Sequence, residues 1–254
     1  MLPLRAPSPL RRARPLAPDA PVWLFDLDNT LYPADINLFP QVDRRMGEFI
    51  ARHFGIGADE ARTMQKQYFR QYGTTLRGLM LHHGLEPQAY LDYVHDIDLS
   101  VIVPNDALSD ALAALEGRKT VFTNGSLKHA QGILDRLGIA HHFAAIFDVA
   151  AAEFIPKPDP ICYQKMLMSL VIAPERATLF EDTAVNLPPA AALGMTTVLV
   201  VPPLVVSPVA EALAPGADPA PGRKLPDADI HFVTDDLIGW LRGAAERRAN
   251  GGKS

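Results

Sequence analysis

Short apolar runs recur along the chain with a helical pattern between them, and this alternation narrows the folds open to it. Val22 to Phe25, Lys119 to Thr123, Ala145 to Asp148, Thr178 to Asp182 and Thr197 to Val201 read as strands. Between them the spacing predicts helices over Ala107 to Leu115, Lys128 to Leu137, Pro160 to Leu170 and Ala184 to Leu193. Gly138 and Gly194 are placed to end two of these. Strand, helix and strand in succession make βαβ units, so an α/β protein with a parallel sheet is expected. Ile230 to Val233 and Asp235 to Arg248 add an edge strand and a closing helix.

One stretch breaks the alternation. Roughly seventy residues separate the first strand from the next helix–strand unit, far more than the dozen or so a crossover needs. Val42, Met46, Phe49, Ile50 and Phe54 recur at helical spacing before Gly55, and Asp59-Glu60 open a second helix towards Tyr72. Gly73-Thr74-Thr75 interrupts, and Leu76 to Gly84 and Pro87 to His95 follow as shorter helices, with Met80, Leu81 and Leu85 assigned to the core. Residues 33–104 therefore read as an inserted helical domain. The main domain is expected over 22–32 and 105–249, with a Pro/Ala-rich loop at 202–227. Residues 1–21 read as a disordered Pro/Arg-rich tail and 250–254 as a second tail.

Composition excludes several classes. With 48% apolar and 21% charged residues in 254, neither global disorder nor a fibrous protein is favoured. A net charge of -5 offers no whole-molecule attraction to a nucleic-acid polymer or to anionic lipid. No apolar run reaches the roughly 18 residues of a membrane helix. The single cysteine, Cys162, excludes an internal disulfide and a multi-cysteine zinc site, and is read as a buried, unreactive thiol. A soluble, cytoplasmic protein is expected, monomer or homodimer, whose partner is a small molecule.

The strands end in polar groups. The first delivers Asp26 and Asp28, the second Thr123-Asn124-Gly125-Ser126, and a later one Glu181-Asp182. In open α/β sheets ligands bind outside these carboxyl ends. Pro156 and Pro158 flank Lys157, which stiffens that segment and aims its ammonium.

Asp26-Leu27-Asp28-Asn29-Thr30, Thr123-Asn124-Gly125, Lys157-Pro158 and Glu181-Asp182, in that order, resemble the four signatures of the haloacid dehalogenase superfamily, specifically its magnesium-dependent phosphatases. The resemblance covers about Trp23 to Pro203. It implies a Rossmann-like doubly wound core with a helical cap, and Tyr68 to Leu79 resembles the cap of the pyrimidine 5'-nucleotidase branch.

The resemblance implies roles. Asp26 would be the nucleophile that forms an aspartyl-phosphate, and Asp28 the general acid and then base. Mg2+ would be held by Asp26, the backbone carbonyl of Asp28, and Asp182. Thr123, Asn124, Gly125 and Lys157 would bind the phosphoryl oxygens. Glu181 stands where an aspartate is common and is read as a water-mediated metal contact only. Asn186 either orients these carboxylates or is a surface helix residue.

In the cap, Tyr72, Thr74, Thr75 and Arg77 are candidates for substrate specificity, the alternative being that Tyr68, Phe69 and Tyr72 pack the cap core. The expected substrate is a small phosphate monoester, a pyrimidine nucleoside 5'-monophosphate such as UMP or CMP. Phosphoglycolate, sugar phosphates, flavin mononucleotide, a phosphomutase and an inactive interaction protein stand as alternatives. Dehalogenases of this superfamily lack an acid at the position of Asp28, since a halide leaves without a proton. Ser126, His129 and Asp135 tempt a triad reading, but no Gly-x-Ser-x-Gly elbow accompanies them.

Overall fold

The computed structural model describes residues 20–203 and 229–251, with side chains through Arg248. Most of the expected N-terminal tail, nearly all of the 202–227 loop, and 252–254 lie outside the described residues. In chain order the elements begin with β1 (Val22–Phe25), followed by α1 (Leu38–Phe54), α2 (Ala58–Tyr72), α3 (Thr75–His83) and α4 (Pro87–Val94). Next come α5 (Asp106–Ala114), β2 (Arg118–Phe122), α6 (Leu127–Leu137) and β3 (Ala145–Phe147). The chain closes with α7 (Pro160–Leu170), β4 (Ala177–Glu181), α8 (Pro188–Ala192), β5 (Thr196–Val200), β6 (Phe232–Thr234) and α9 (Leu237–Gly251).

The six strands form one sheet in the order β3-β2-β1-β4-β5-β6, and every neighbouring pair is parallel. This is a doubly wound α/β sheet. Its strands are apolar on both faces because helices cover both. Trp23 and Phe25 face a core shared with Leu112, Ile133, Phe180 and Leu241, while Val22 and Leu24 face another with Phe122, Tyr163 and Leu179. The period-two alternation within β1 splits the same strand between two cores.

Helices α1 to α4 gather around a third core that includes Val42, Ile50, Ala61, Leu79, Tyr90 and Val94. Local signals set their ends. Gly55 adopts the left-handed conformation that closes α1, and the Thr74 hydroxyl accepts the Arg77 N–H at 3.2 Å to start α3.

Three expectations need correction. The helix expected over Ala184 to Leu193 is a 3-10 turn at Ala184–Asn186 followed by the short α8, because Pro188 and Pro189 supply no N–H to an unbroken helix. Helix α9 runs through Gly251, two residues into the segment expected as a tail. Leu81, assigned to the core, is 56% exposed, whereas Leu85 is buried. No helix among the described residues is long and apolar enough to cross a membrane.

Candidate active site

Strand β1 lies between β2 and β4, so the chain winds outward from it in both directions, and crevices at such a reversal are where α/β sheets bind ligands. Register aligns the strand ends there. Phe25 pairs with Val121 on one side and Phe180 on the other, which puts Asp26 level with Phe122 and Glu181. The ladder continues one step further, as the Asp26 N–H donates to the Phe180 carbonyl at 2.9 Å.

Lys157 reaches this point from the loop before α7, with its side chain 1% exposed. Its ammonium donates to Asp26 Oδ1 at 2.7 Å, Glu181 Oε1 at 2.9 Å and the Phe122 carbonyl at 2.8 Å. Those three bonds use every proton an ammonium has. Asn124 holds the loop in place, its Oδ1 accepting the Lys157 N–H at 2.8 Å and its Nδ2 donating to the Lys157 carbonyl at 3.1 Å. Its side chain is thus committed to pinning the lysine. The Gly125 N–H donates to Thr123 Oγ1 at 2.9 Å, which leaves the Thr123 hydroxyl proton for another acceptor.

Carboxylate oxygens of Asp26, Glu181 and Asp182 lie within 4.8 Å of one another. Burial and the neighbouring Glu181 push Asp26 well above the ordinary carboxylate range, against the pull of Lys157. Burial and Glu181 likewise push Asp182 up to about 7. Burial opposes ionisation of Glu181 too, but Lys157 holds it below its usual value. Glu181 is also bonded by Asn186 Nδ2 at 2.5 Å and the Thr183 N–H at 3.1 Å, so Asn186 sits buried against the carboxylates. This all-oxygen set carries more negative charge than one lysine balances, and a hard divalent cation such as Mg2+ fits it.

Asp28 sits on the turn that leaves β1. Its Oδ1 accepts the Tyr32 hydroxyl at 2.5 Å and His129 Nε2 at 2.9 Å. Burial would raise its pKa, yet the charge and hydrogen bond of His129, with the bond from Tyr32, bring it down to about 2. Asp26, Asp28, Thr123, Asn124, Gly125, Lys157, Glu181, Asp182 and Asn186 all line one cavity of about 1000 Å³ between the sheet and the helical insertion.

The insertion supplies the roof. Tyr72, Thr74, Thr75 and Arg77 line the same cavity. The Tyr72 hydroxyl is bonded to His82 and Thr74 caps α3, while Thr75 is buried and donates to the Gln65 carbonyl at 3.1 Å. Phe69 is 55% exposed and lines the cavity with Leu81. It therefore does not pack the cap core, whereas the Tyr68 ring packs against that core. Gly73, at φ +80°, brings the roof onto the floor. A Cβ there would lie 3.3 Å from both the Lys157 carbonyl and Pro156 Cγ.

Tyr32, Tyr90, His95 and His129 were not singled out by sequence as members of this site. The triad of Ser126, His129 and Asp135 does not form: the Ser126 hydroxyl bonds His95 and only the backbone N–H of His129, the His129 ring bonds Asp28, and Asp135 bonds Gln131. The available signal was the helix after Thr123, whose first turn faces the strand ends. Cys162 is buried in α7, with burial pushing its thiol up to about 12.

Residues 22–194 match the family described as haloacid dehalogenase-like hydrolase. Phosphate metabolism protein 8 of Saccharomyces cerevisiae is 28% identical over 200 residues, 72% of this chain and 62% of that protein, so the chain spans less than two thirds of this relative. Three solved structures share the fold. L-2-haloacid dehalogenase from Xanthobacter autotrophicus has TM-score 0.52 and 16% identity, covering 91% of this chain and 99% of its own. A phosphatase of the same superfamily from Thermococcus onnurineus has TM-score 0.52 and 17% identity, covering 91% and 98%. CbbY from Rhodobacter sphaeroides, solved with phosphate, has TM-score 0.53 and 18% identity, covering 86% and 95%.

Proposed function

The chain belongs to the haloacid dehalogenase-like hydrolases, and we propose that it is a Mg2+-dependent phosphomonoesterase acting on pyrimidine nucleoside 5'-monophosphates. The observation that carries this reading is Lys157 clamped between Asp26 and Glu181 while Asp28 opens onto the same cavity. A nucleophile, a charge-neutralising lysine and a separate proton carrier are what phosphate ester cleavage needs. A halide leaving group needs no such proton carrier. The name of the yeast relative and the phosphate in CbbY agree with this chemistry.

In the proposed reaction an Asp26 oxygen attacks phosphorus, the bond to the leaving oxygen breaks, and Asp28 gives that oxygen a proton. Water then attacks the aspartyl-phosphate, Asp28 takes its proton, and phosphate leaves. The Thr123 hydroxyl donates to a phosphoryl oxygen, and Lys157, its protons engaged, supplies positive charge beside Asp26. Asp26, the Asp28 carbonyl and Asp182 would hold Mg2+, which supplies positive charge between an anionic nucleophile and an anionic substrate.

Specificity is assigned to the roof. A cavity of about 1000 Å³ suits a nucleotide better than phosphoglycolate. Phe69 and Leu81 offer apolar area, Tyr72 a ring edge and Arg77 donors for a base. A panel of phosphate monoesters with Mg2+ tests this. UMP and CMP are expected to give the highest kcat/KM, ahead of purine nucleotides, phosphoglycolate, sugar phosphates and flavin mononucleotide. EDTA and Asp26→Asn should each abolish turnover. Activity that survives either change would refute the metal-assisted covalent route. Equal rates on purine and pyrimidine nucleotides would refute the nucleobase claim alone.

A further inference from the structure

The two oxygens of Asp28 have different surroundings. Oδ1 takes both hydrogen bonds, from Tyr32 at 2.5 Å and His129 Nε2 at 2.9 Å. Among the described residues no hydrogen bond reaches Oδ2, and it lies 3.8 Å from where a Gly125 Cβ would stand, beside the Thr123–Gly125 loop. A carboxylate accepts only, so both partners donate: the Tyr32 hydroxyl and the His129 Nε2–H. Burial and Asp28 push the Tyr32 phenol up, which keeps it protonated as a donor.

His129 is fixed in turn. It lies in the first turn of α6, its side chain 1% exposed, with its own N–H donated to the Ser126 hydroxyl oxygen at 3.3 Å. His95, the residue that closes α4, stacks on its ring at 4.3 Å between centroids and 16° between planes. The same Ser126 hydroxyl bonds His95 Nδ1 at 2.8 Å. One serine thus caps α6 and ties down a histidine of the helical insertion against the ring that holds Asp28.

We propose that His129 is a positioning residue for Asp28: with Tyr32 it fixes Oδ1, turns Oδ2 towards the phosphate loop, and is itself backed by His95 from the insertion. This rests on the phosphatase reading and goes beyond it by dividing the acid's two oxygens. A proton that Oδ2 takes up from solvent passes to the leaving alkoxide as that oxygen's bond to phosphorus breaks. The negative charge left on Asp28 is shared with Oδ1, where two donors already point. In the second half-reaction the attacking water returns a proton to Oδ2. The contact with His95 makes the geometry of the acid depend on where the insertion docks.

The test uses leaving groups that differ in their need for a proton. A p-nitrophenolate leaves without one, whereas a nucleoside 5'-alkoxide does not. The full-length protein, His129→Leu, His129→Gln and Tyr32→Phe are assayed with Mg2+ on p-nitrophenyl phosphate and on UMP, or on the alkyl ester turned over fastest. His129→Leu should lower kcat/KM, which reports formation of the aspartyl-phosphate, about 100-fold on the alkyl ester and by no more than about threefold on the aryl ester. His129→Gln, which keeps a donor, should recover about tenfold of that loss. Tyr32→Phe, a substitution that keeps the ring, should show the same bias at about tenfold even if His129→Leu fails to fold. Equal losses on both esters, or no recovery by glutamine, would overturn the positioning role and leave the phosphatase reading standing. A wild-type protein inactive on every ester would overturn both.

Discussion

At the floor of the cavity Lys157 and Glu181 are each 1% exposed and every proton of the ammonium is engaged. At the roof Phe69 and Leu81 are 55% and 56% exposed, on helices that pack around a core of their own. Neighbouring strands position the floor, and a shift in Lys157 would leave buried carboxylates without a counter-ion. The roof places Phe69 and Leu81 over the cavity from a separate helical layer, where changing either disturbs little below, and it touches the floor at Gly73 and His95. Such a division lets one catalytic floor serve different substrates, with the insertion rather than the sheet setting the choice.

The floor is where substitution should cost most. Lys157→Met leaves Asp26 and Glu181 buried without their cation, so it should destabilise the fold by about 3 kcal/mol in urea unfolding. It should also reduce kcat by about 1000-fold. A stable, active Lys157→Met protein would mean that the floor is no more constrained than the roof.

A smaller effect is expected above. Phe69→Ala with Leu81→Ala should raise KM for the nucleotide about tenfold while leaving kcat within about twofold and stability almost unchanged. If kcat fell and KM did not, the roof would share in the chemistry and the contrast would dissolve.

The smallest effect lies at the seam. Burial, with His129 beside it, pushes His95 down to about 3 from an ordinary 6.5. Between those values the unfolded chain binds a proton that the folded chain refuses, so stability rises with pH there and is lost as pH falls below 6.5. Unfolding at pH 7.5 and 5.5 should therefore differ, and His95→Phe, which keeps the stacked ring, should remove about 1 kcal/mol of the difference. An unchanged pH slope in His95→Phe would show that the seam is open to solvent.

Much of the fold could be read directly. The apolar runs, the glycines that end helices and the long insertion after Tyr32 are local signals, and they led to a parallel sheet with helices on both faces. Where local reading failed, a neighbour had decided the outcome. Leu81 looks like a core residue by type and spacing, but the face it occupies borders the cavity. Pro188 and Pro189 were visible in the sequence, yet the helical pattern around them overrode their meaning.

The same division runs through the site. Asp26, Asp28, Thr123, Glu181 and Asp182 announce themselves because polar residues at the ends of apolar strands are a local pattern, and Lys157 because prolines flank it. Tertiary structure alone decided that Asn124 grips the Lys157 backbone from 33 residues away. It alone brought His129 to Asp28 across 101 residues and set His95 of the insertion on the ring of His129. Sequence determines which groups a strand end can offer, since that depends on neighbours along the chain. Which oxygen of Asp28 is held and which is left facing the phosphate loop depends on atoms joined only through space.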